Sequence, residues 1–262
     1  MIPLDADFIY DIAPGFSGRY LISQRRIVSA IADDLSTVLE SYEINSFLRI
    51  AHFMAQVTHE CAGFRTTEEF ATGAAYEGRA DLGNTEPGDG RRYKGRGLIQ
   101  LTGRYNYRKY GAMMGLDLEN TPEIAAEPLT SLKIACTYWA DHDLNALADR
   151  DYLVTITRRI NGGTNGLADR GKYLTRAKTA LRKRQAIILS HAQGGTGPVL
   201  RRGSFGAEVE RLQTLLHEAG WPIAVDGDFG PATELAVMRF QATEGLVIDG
   251  IVGRNTWAAF GG

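Results

Sequence analysis

The chain has 262 residues, 44% of them hydrophobic and 23% charged, with 29 Lys and Arg against 31 Asp and Glu for a net charge of −2. That length accommodates one large or two modest domains, and the balance of apolar and charged side chains excludes a disordered chain and a membrane protein. The basic clusters Arg25-Arg26 and Arg182-Lys183-Arg184 are short and isolated, so they read as solvated helix faces and no nucleic-acid partner is expected.

In chain order, Met1-Ile2-Pro3-Leu4-Asp5-Ala6-Asp7 carries acids where a signal peptide would carry bases, and no apolar run follows. No signal peptide and no membrane insertion are expected, which points to synthesis in a cytoplasm. A helix is predicted over 26–40. Asn45 is the predicted cap of a second helix, whose apolar positions Phe47, Leu48, Ala51, Met54, Ala55 and Thr58 follow the 3.6 period toward a stop near Gly63. Residues 73–97 hold seven glycines and few large apolar side chains, and read as loop. Helices are predicted again over 103–114, 130–148 and 168–190. Cys61 and Cys136 form neither a disulfide framework nor a zinc pattern and read as small buried hydrophobes.

His191 to Pro198 is small, polar and glycine-rich, a linker by composition. The expected division is 1–190, linker 191–198, and 199–262. Beyond the linker, Asp226-Gly227-x-x-Gly230-x-x-Thr233 returns 23 residues later as Asp249-Gly250-x-x-Gly253-x-x-Thr256, with a fainter copy at Gly203-Ser204-Phe205-Gly206. Each copy reads as a positive-φ turn feeding a helix, with Pro231 suited to a first helical position. Val209, Leu212, Leu215 and Leu216, then Leu235, Ala236, Val237 and Phe240, recur at helical spacing, which predicts a three-helix module.

Chemistry in the first piece centres on Glu60, an acid closing an otherwise apolar helix. The helix dipole and low polarity both favour a retained proton there, the property of a general acid. Glu68, Glu69, Glu77, Asp81, Glu86 and Asp89 all follow within 30 residues, and spacing does not choose among them as the second carboxylate. Paired carboxylates are the apparatus of glycoside hydrolysis. The strip Arg91–Tyr107 supplies rings and amides suited to sugars in Tyr93, Gln100, Thr102, Tyr105 and Asn106, with Leu98, Ile99 and Leu101 as anchors. Arg104 reads as structural, paired with an acid; for Arg96 a direct substrate role stands beside the structural one.

Two resemblances sharpen this reading. The stretch from Gly206 to Trp257 with its twin DGxxGxxT turns resembles the bacterial peptidoglycan-binding domain over nearly its whole length. "AQVTHECAGF", "YKGRGLIQLTGRYNY" and "INGGTNG" together resemble the family-19 glycoside hydrolases, whose chitinase-type fold phage endolysins also use. The implied fold class is mainly α, a lysozyme-like, chitinase-type helical catalytic domain followed by a small three-helix wall-binding domain. The resemblance implies Glu60 as general acid, Glu69 as base by its place after the Gly-Phe of the motif in the endolysin branch, and Thr102 as holder of the attacking water. Gln100, Asn106 and Asn161 would bind sugar. The plant enzymes carry their second glutamate in a longer segment absent here, so Glu77 stays as the alternative base.

The function so implied is an inverting, cofactor-free peptidoglycan hydrolase of the endolysin kind. It would be a monomer whose partner is bacterial peptidoglycan, made in the host cytoplasm and acting on the wall after release. A chitinase and a non-catalytic wall-binding protein are the alternatives. A zinc peptidase is disfavoured because the five histidines form no HExxH, and a cysteine peptidase because Cys61 has no identifiable base.

Overall fold

A computed structural model describes residues 4–194 and 197–260, with side chains for all of these but 186–194. The described residues are mainly α-helical; extended pairing is limited to isolated bridges, among them Glu68 with Arg96 and Arg96 with Leu101. Two compact units form, Met1–Lys183 and Arg184–Gly262.

In the first unit, α1 (Ala6–Ile12) and α2 (Gly18–Ser41) lead into α3 (Phe47–Glu60). Helix α1 was not foreseen; Asp5 caps it by accepting from the Phe8 N–H at 2.8 Å, and Phe8, Ile9 and Ile12 are buried. Helix α2 begins about two turns before the predicted start. Its buried stripe of Gln24, Ile27, Val28, Ile31, Leu35, Val38 and Leu39 keeps the spacing of one helix face. The cap of α3 is Ser46, not Asn45. With Phe47 as first helical residue, only the side chain at 46 reaches the exposed N–H of Arg49, at 3.2 Å.

Every residue of α3 from Ile50 to Thr58 is buried, so this helix is the axis of the unit. Phe53 meets Trp139 edge-on at 5.4 Å, and each such large apolar side chain contributes roughly 1.5–3 kcal/mol by leaving water. Gln24 donates to the carbonyls of Pro14 and Gly63, at 3.0 and 2.8 Å, and thereby pins the chain as it leaves α3.

Residues 73–97 are mostly loop as predicted, holding only short 3-10 turns and α4 (Asp89–Arg92). Helix α5 (Arg104–Met114) follows. The helix predicted over 130–148 is two, α6 (Pro128–Asp141) and α7 (Leu144–Ala148). Asp143 takes a left-handed φ of 50°, and the His142 ring N–H donates to the last-turn carbonyl of Tyr138 at 2.9 Å, which ends α6 there. Helix α8 (Leu153–Asn161) precedes α9 (Leu167–Gly194). The long helix carries through residue 190 and into the expected linker, of which residues 195 and 196 lie outside the described residues.

The second unit holds α10 (Ala207–Glu218), α11 (Pro231–Thr243) and α12 (Arg254–Phe260). Its core includes Val209, Leu212, Phe229, Val237 and Trp257. The two Asp-Gly turns have φ of 73° at Gly227 and 69° at Gly250, and Pro231 is the first residue of α11. Each turn is held by a buried glutamine that the sequence reading missed. Gln213 donates to Asp226 Oδ1 at 2.7 Å, the Asp228 carbonyl at 2.9 Å and Thr233 Oγ1 at 3.2 Å, while its Oε1 accepts from the Gly227 N–H at 2.8 Å. Gln241 repeats the pattern on Asp249, Ile251, Thr256 and Gly250. The signal was present as Arg-x-Gln at 211–213 and again at 239–241. Gln213→Leu strands several buried partners at about 1–3 kcal/mol apiece. Amide hydrogen exchange should speed up at Gly227 and leave Gly250 unchanged; equal protection at Gly227 would remove the glutamine from this role.

Candidate active site

Glu60 sits at the end of α3, but its surroundings are not the apolar pocket the sequence suggested. Arg170, 1% exposed on α9, donates to Glu60 Oε1 at 2.5 Å and also to Gln56 Oε1. Gln56 in turn donates to Thr157 at 3.3 Å. One carboxyl oxygen of Glu60 is thus held, and the other has no protein partner among the described residues. The same arginine donates to the Asn165 carbonyl at 3.4 Å, and Asn161 to that carbonyl at 2.8 Å. His59 pairs with Asp169 at 2.8 Å, and a side chain at Gly166 would collide with its ring. The 161–166 loop is therefore fastened to the C-terminal end of α3.

Glu69 lies on the next stretch of chain, and its position is fixed from both sides. Its N–H donates to the Gly95 carbonyl at 3.0 Å, its Oε1 accepts from the Gly95 N–H at 2.9 Å, and its Oε2 accepts from the Tyr76 hydroxyl at 3.0 Å. Burial, and then the neighbouring Glu69, hold the Tyr76 phenol above its ordinary value, so it stays a donor. Beyond Gly95 the chain makes a tight hairpin, with Arg96 and Leu101 exchanging backbone bonds of 3.0 and 2.8 Å. Leu98, Ile99 and Leu101 are buried, the anchors expected of them. Gln100 alternates outward at a left-handed φ of 55°, a conformation that costs a non-glycine residue about 1–3 kcal/mol and concentrates at ligand sites.

Gly95 is where these groups converge. A Cβ there would stand 3.0 Å from Gln100 Oε1, 3.3 Å from Thr102 Oγ1 and 3.4 Å from the Glu69 carboxyl carbon. Only the hydrogen of Gly95 fits this gap, and a carboxylate, an amide oxygen and a hydroxyl converge at its border, three groups that can together hold a water outside it. Gly95→Ala is free of backbone strain because Gly95 avoids the left-handed region. The variant should stay folded yet lose roughly 10- to 100-fold in rate, as its methyl shifts the three groups. An unchanged turnover rate would show that the gap is not used.

Gln100, Thr102 and Asn106 line one cleft of about 240 Å³ with Leu82, Ile99, Leu101, Tyr138 and Ile160. Asn106 donates to the Thr102 carbonyl at 2.8 Å, and its oxygen is left without a protein partner among the described residues. Thr102 donates to the Gln100 carbonyl at 2.9 Å. Burial, then the charges of Glu60 and Asp141, push the phenol of Tyr138 in this cleft up to about 12.

Three expected sugar-binding residues spend their polar groups within the protein. Tyr93 is 1% exposed, with its hydroxyl on the Glu119 carbonyl at 3.0 Å; it is a core ring tilted against Tyr107 at 5.4 Å, not a sugar platform. Arg96 is buried and donates to the Arg92 carbonyl at 2.8 Å and the Tyr107 hydroxyl at 3.1 Å, with Glu68 Oε1 3.2 Å from its Nε. It therefore holds the hairpin and does not face a ligand. Asn161 uses both ends of its amide on its own loop, donating to Asn165 and accepting from the Gly163 N–H at 2.8 Å. Arg104 is structural as expected, forked onto buried Asp89 at 2.5 and 2.9 Å. Glu77 accepts from the N–H groups of Gly88 and Gly90, at 2.6 and 2.9 Å, and so ties the loop together. Arg170, Tyr76 and Tyr138 escaped the sequence reading because each is an ordinary residue on its own element and meets the site only through tertiary pairing.

Known proteins resemble the chain in two separate stretches. Residues 43–159 match the family described as chitinase class I, and residues 205–260 match the peptidoglycan binding domain. A glycosyl hydrolase family 19 domain-containing protein of Haemophilus influenzae is 41% identical over 105 residues, 40% of this chain and 50% of that protein. An endochitinase of Arabidopsis thaliana is 36% identical over 115 residues, 44% of this chain and 39% of its own. The chain thus spans half or less of the length of these relatives. Among solved structures, the family GH19 class IV chitinase of Zea mays superposes with a TM-score of 0.51 at 26% identity, covering 68% of this chain and 92% of that one. The helical unit built around α3 and the twin-turn unit that follows it therefore make this a chain that carries a chitinase-like family-19 glycoside hydrolase domain and a C-terminal peptidoglycan-binding domain.

Proposed function

We propose that the protein is a peptidoglycan hydrolase of the endolysin kind, cutting β-1,4 glycosidic bonds of the bacterial wall by an inverting acid/base mechanism. The observation that carries this reading is the presence, in one chain, of a glycosidase-type domain and a wall-binding module. Glu60 delivers the proton to the leaving oxygen. Glu69 takes the proton from a water seated beside Gly95 and Thr102, and Gln100 and Asn106 bind the sugar that enters the cleft. A chitinase would use the same residues; the wall-binding module favours peptidoglycan. The protein acts as a monomer, made in the host cytoplasm and reaching the wall after release. Among the described residues no helix is long and apolar enough to cross a membrane.

Proton NMR of the first products from purified peptidoglycan tests the reading, because a water attacking opposite the leaving group converts the β-linked sugar to the α-anomer. An initial β-anomer would overturn the water-mediated mechanism, and no release of reducing ends would overturn the hydrolase itself. Removal of residues 191–262 should spare cleavage of soluble fragments and depress digestion of intact wall, since a tethered module raises local concentration without changing chemistry. Equal loss on both substrates would show that the module takes part in the cut.

A further inference from the structure

Along the segment that carries Glu69 lies a groove of about 680 Å³ with no part in the chemistry above. Glu69 is bonded to Gly95, whereas its neighbours Glu68 and Phe70 line the groove, so one short stretch of chain borders both places. The groove is lined by charges of both signs. Arg19, Arg26 of α2 and Arg65 supply the bases, and Glu123 and Glu127, just before α6, supply acids beside Glu68, which is itself paired with Lys94 and Arg96.

Most of these charges are unspent. Arg26 and Glu123 are exposed and have no hydrogen bond or ion pair among the described residues. Glu127 accepts only from Thr130, at 3.3 Å. Arg65 lies over the rings of Tyr20 and Phe70 at 4.8 and 5.0 Å, and its Nε is buried without a hydrogen-bond partner. Elsewhere in this unit opposite charges on the surface close on each other, as Arg49 does with Asp149 at 2.7 Å, Lys109 with Asp141 at 2.6 Å and Arg108 with Glu119 at 2.7 Å. Phe70, 69% exposed, adds a large ring left in water at the rim.

Such a groove suits a ligand that is itself dipolar, with carboxylates and an amine a few bonds apart on a chain that has some apolar surface. We infer that it is the seat of the peptide stem that hangs from the glycan of peptidoglycan. The stem's carboxylates lie toward Arg26 and Arg65, its side-chain amine toward Glu123 and Glu127, and its aliphatic parts on Phe70. This inference rests on the peptidoglycan reading and gives it a cause: chitin has no stem and no charge, and would leave the groove empty. The reach is sufficient, because a stem of a few residues extends on the order of 10 Å and Glu68 and Phe70 flank Glu69 in the chain.

The test uses the full chain and a synthetic stem-type tetrapeptide bearing a free side-chain amine and free carboxylates. In the native protein the peptide should shift the amide resonances of groove residues. Arg26→Glu and Glu123→Lys, both at exposed positions that tolerate reversal, should each weaken that binding on the order of tenfold. Both variants should also digest stem-bearing wall more slowly than the native chain while matching it on glycan stripped of its stems. No shift in the groove, or native rates for both variants on stem-bearing wall, would overturn the inference. A chain that binds the peptide in the groove and cuts neither wall nor stripped glycan would uphold the groove and remove the hydrolase reading.

Discussion

Glu60→Gln is expected to lower wall hydrolysis on the order of 10²- to 10⁴-fold or more while the protein stays folded, because the amide keeps the shape of the carboxyl group and cannot deliver a proton. The structure explains why glutamine is the informative replacement. Arg170 is buried and donates to Glu60 Oε1, and an amide oxygen accepts the same bond. Glu60→Ala would leave that guanidinium without its partner, a change that costs about 3–5 kcal/mol when a buried pair is broken, so its loss of activity would mix chemistry with stability. Thermal melting of the two variants beside their rates separates the effects. A folded Glu60→Gln protein that digests wall at close to the native rate would sink the assignment of Glu60 as acid.

The parts of the site that could be read from sequence are those whose chemistry is local. The apolar triplet of Leu98, Ile99 and Leu101 announces an anchored hairpin, and a polar residue caught among them, Gln100, has to face the other way. Glycines in the twin Asp-Gly turns announce positive φ. What could not be read depends on which way a side chain points once distant elements pack. Tyr93 and Asn106 both have groups that suit a sugar, but Tyr93 turns into the core against Tyr107 and Asn106 lines the cleft. Arg170 reaches Glu60 across 110 positions, and no periodicity within α9 marks it. The helix break at Asp143 was missed for a related reason: Asp and Asn are ordinary helix-surface residues until one of them adopts the left-handed conformation that ends the helix.

Glu69→Gln is expected to match Glu60→Gln in its loss of rate, on the order of 10²- to 10⁴-fold, because an amide cannot take a proton from water. The comparison that gives this result its meaning is Glu77→Gln. Glu77 spends both carboxylate oxygens on the backbone N–H groups of Gly88 and Gly90, next to the fork of Arg104 on Asp89. A glutamine there offers one acceptor in place of two and turns an NH₂ group toward an N–H. The expected effect is a loss of about 1–3 kcal/mol of local stability, read as earlier melting or faster amide exchange at Gly88 and Gly90, with only a modest fall in rate. Glu69, in contrast, keeps a backbone donor and a tyrosine hydroxyl on its oxygens and still faces the gap shared with Thr102 and Gln100. Its replacement should leave melting close to native while turnover disappears, because the new amide keeps its oxygen on the Gly95 N–H and its NH₂ can donate to the Tyr76 hydroxyl, which accepts as well as donates. If Glu77→Gln is folded and inactive and Glu69→Gln retains its rate, the base is Glu77, and the groups converging at Gly95 hold no catalytic water.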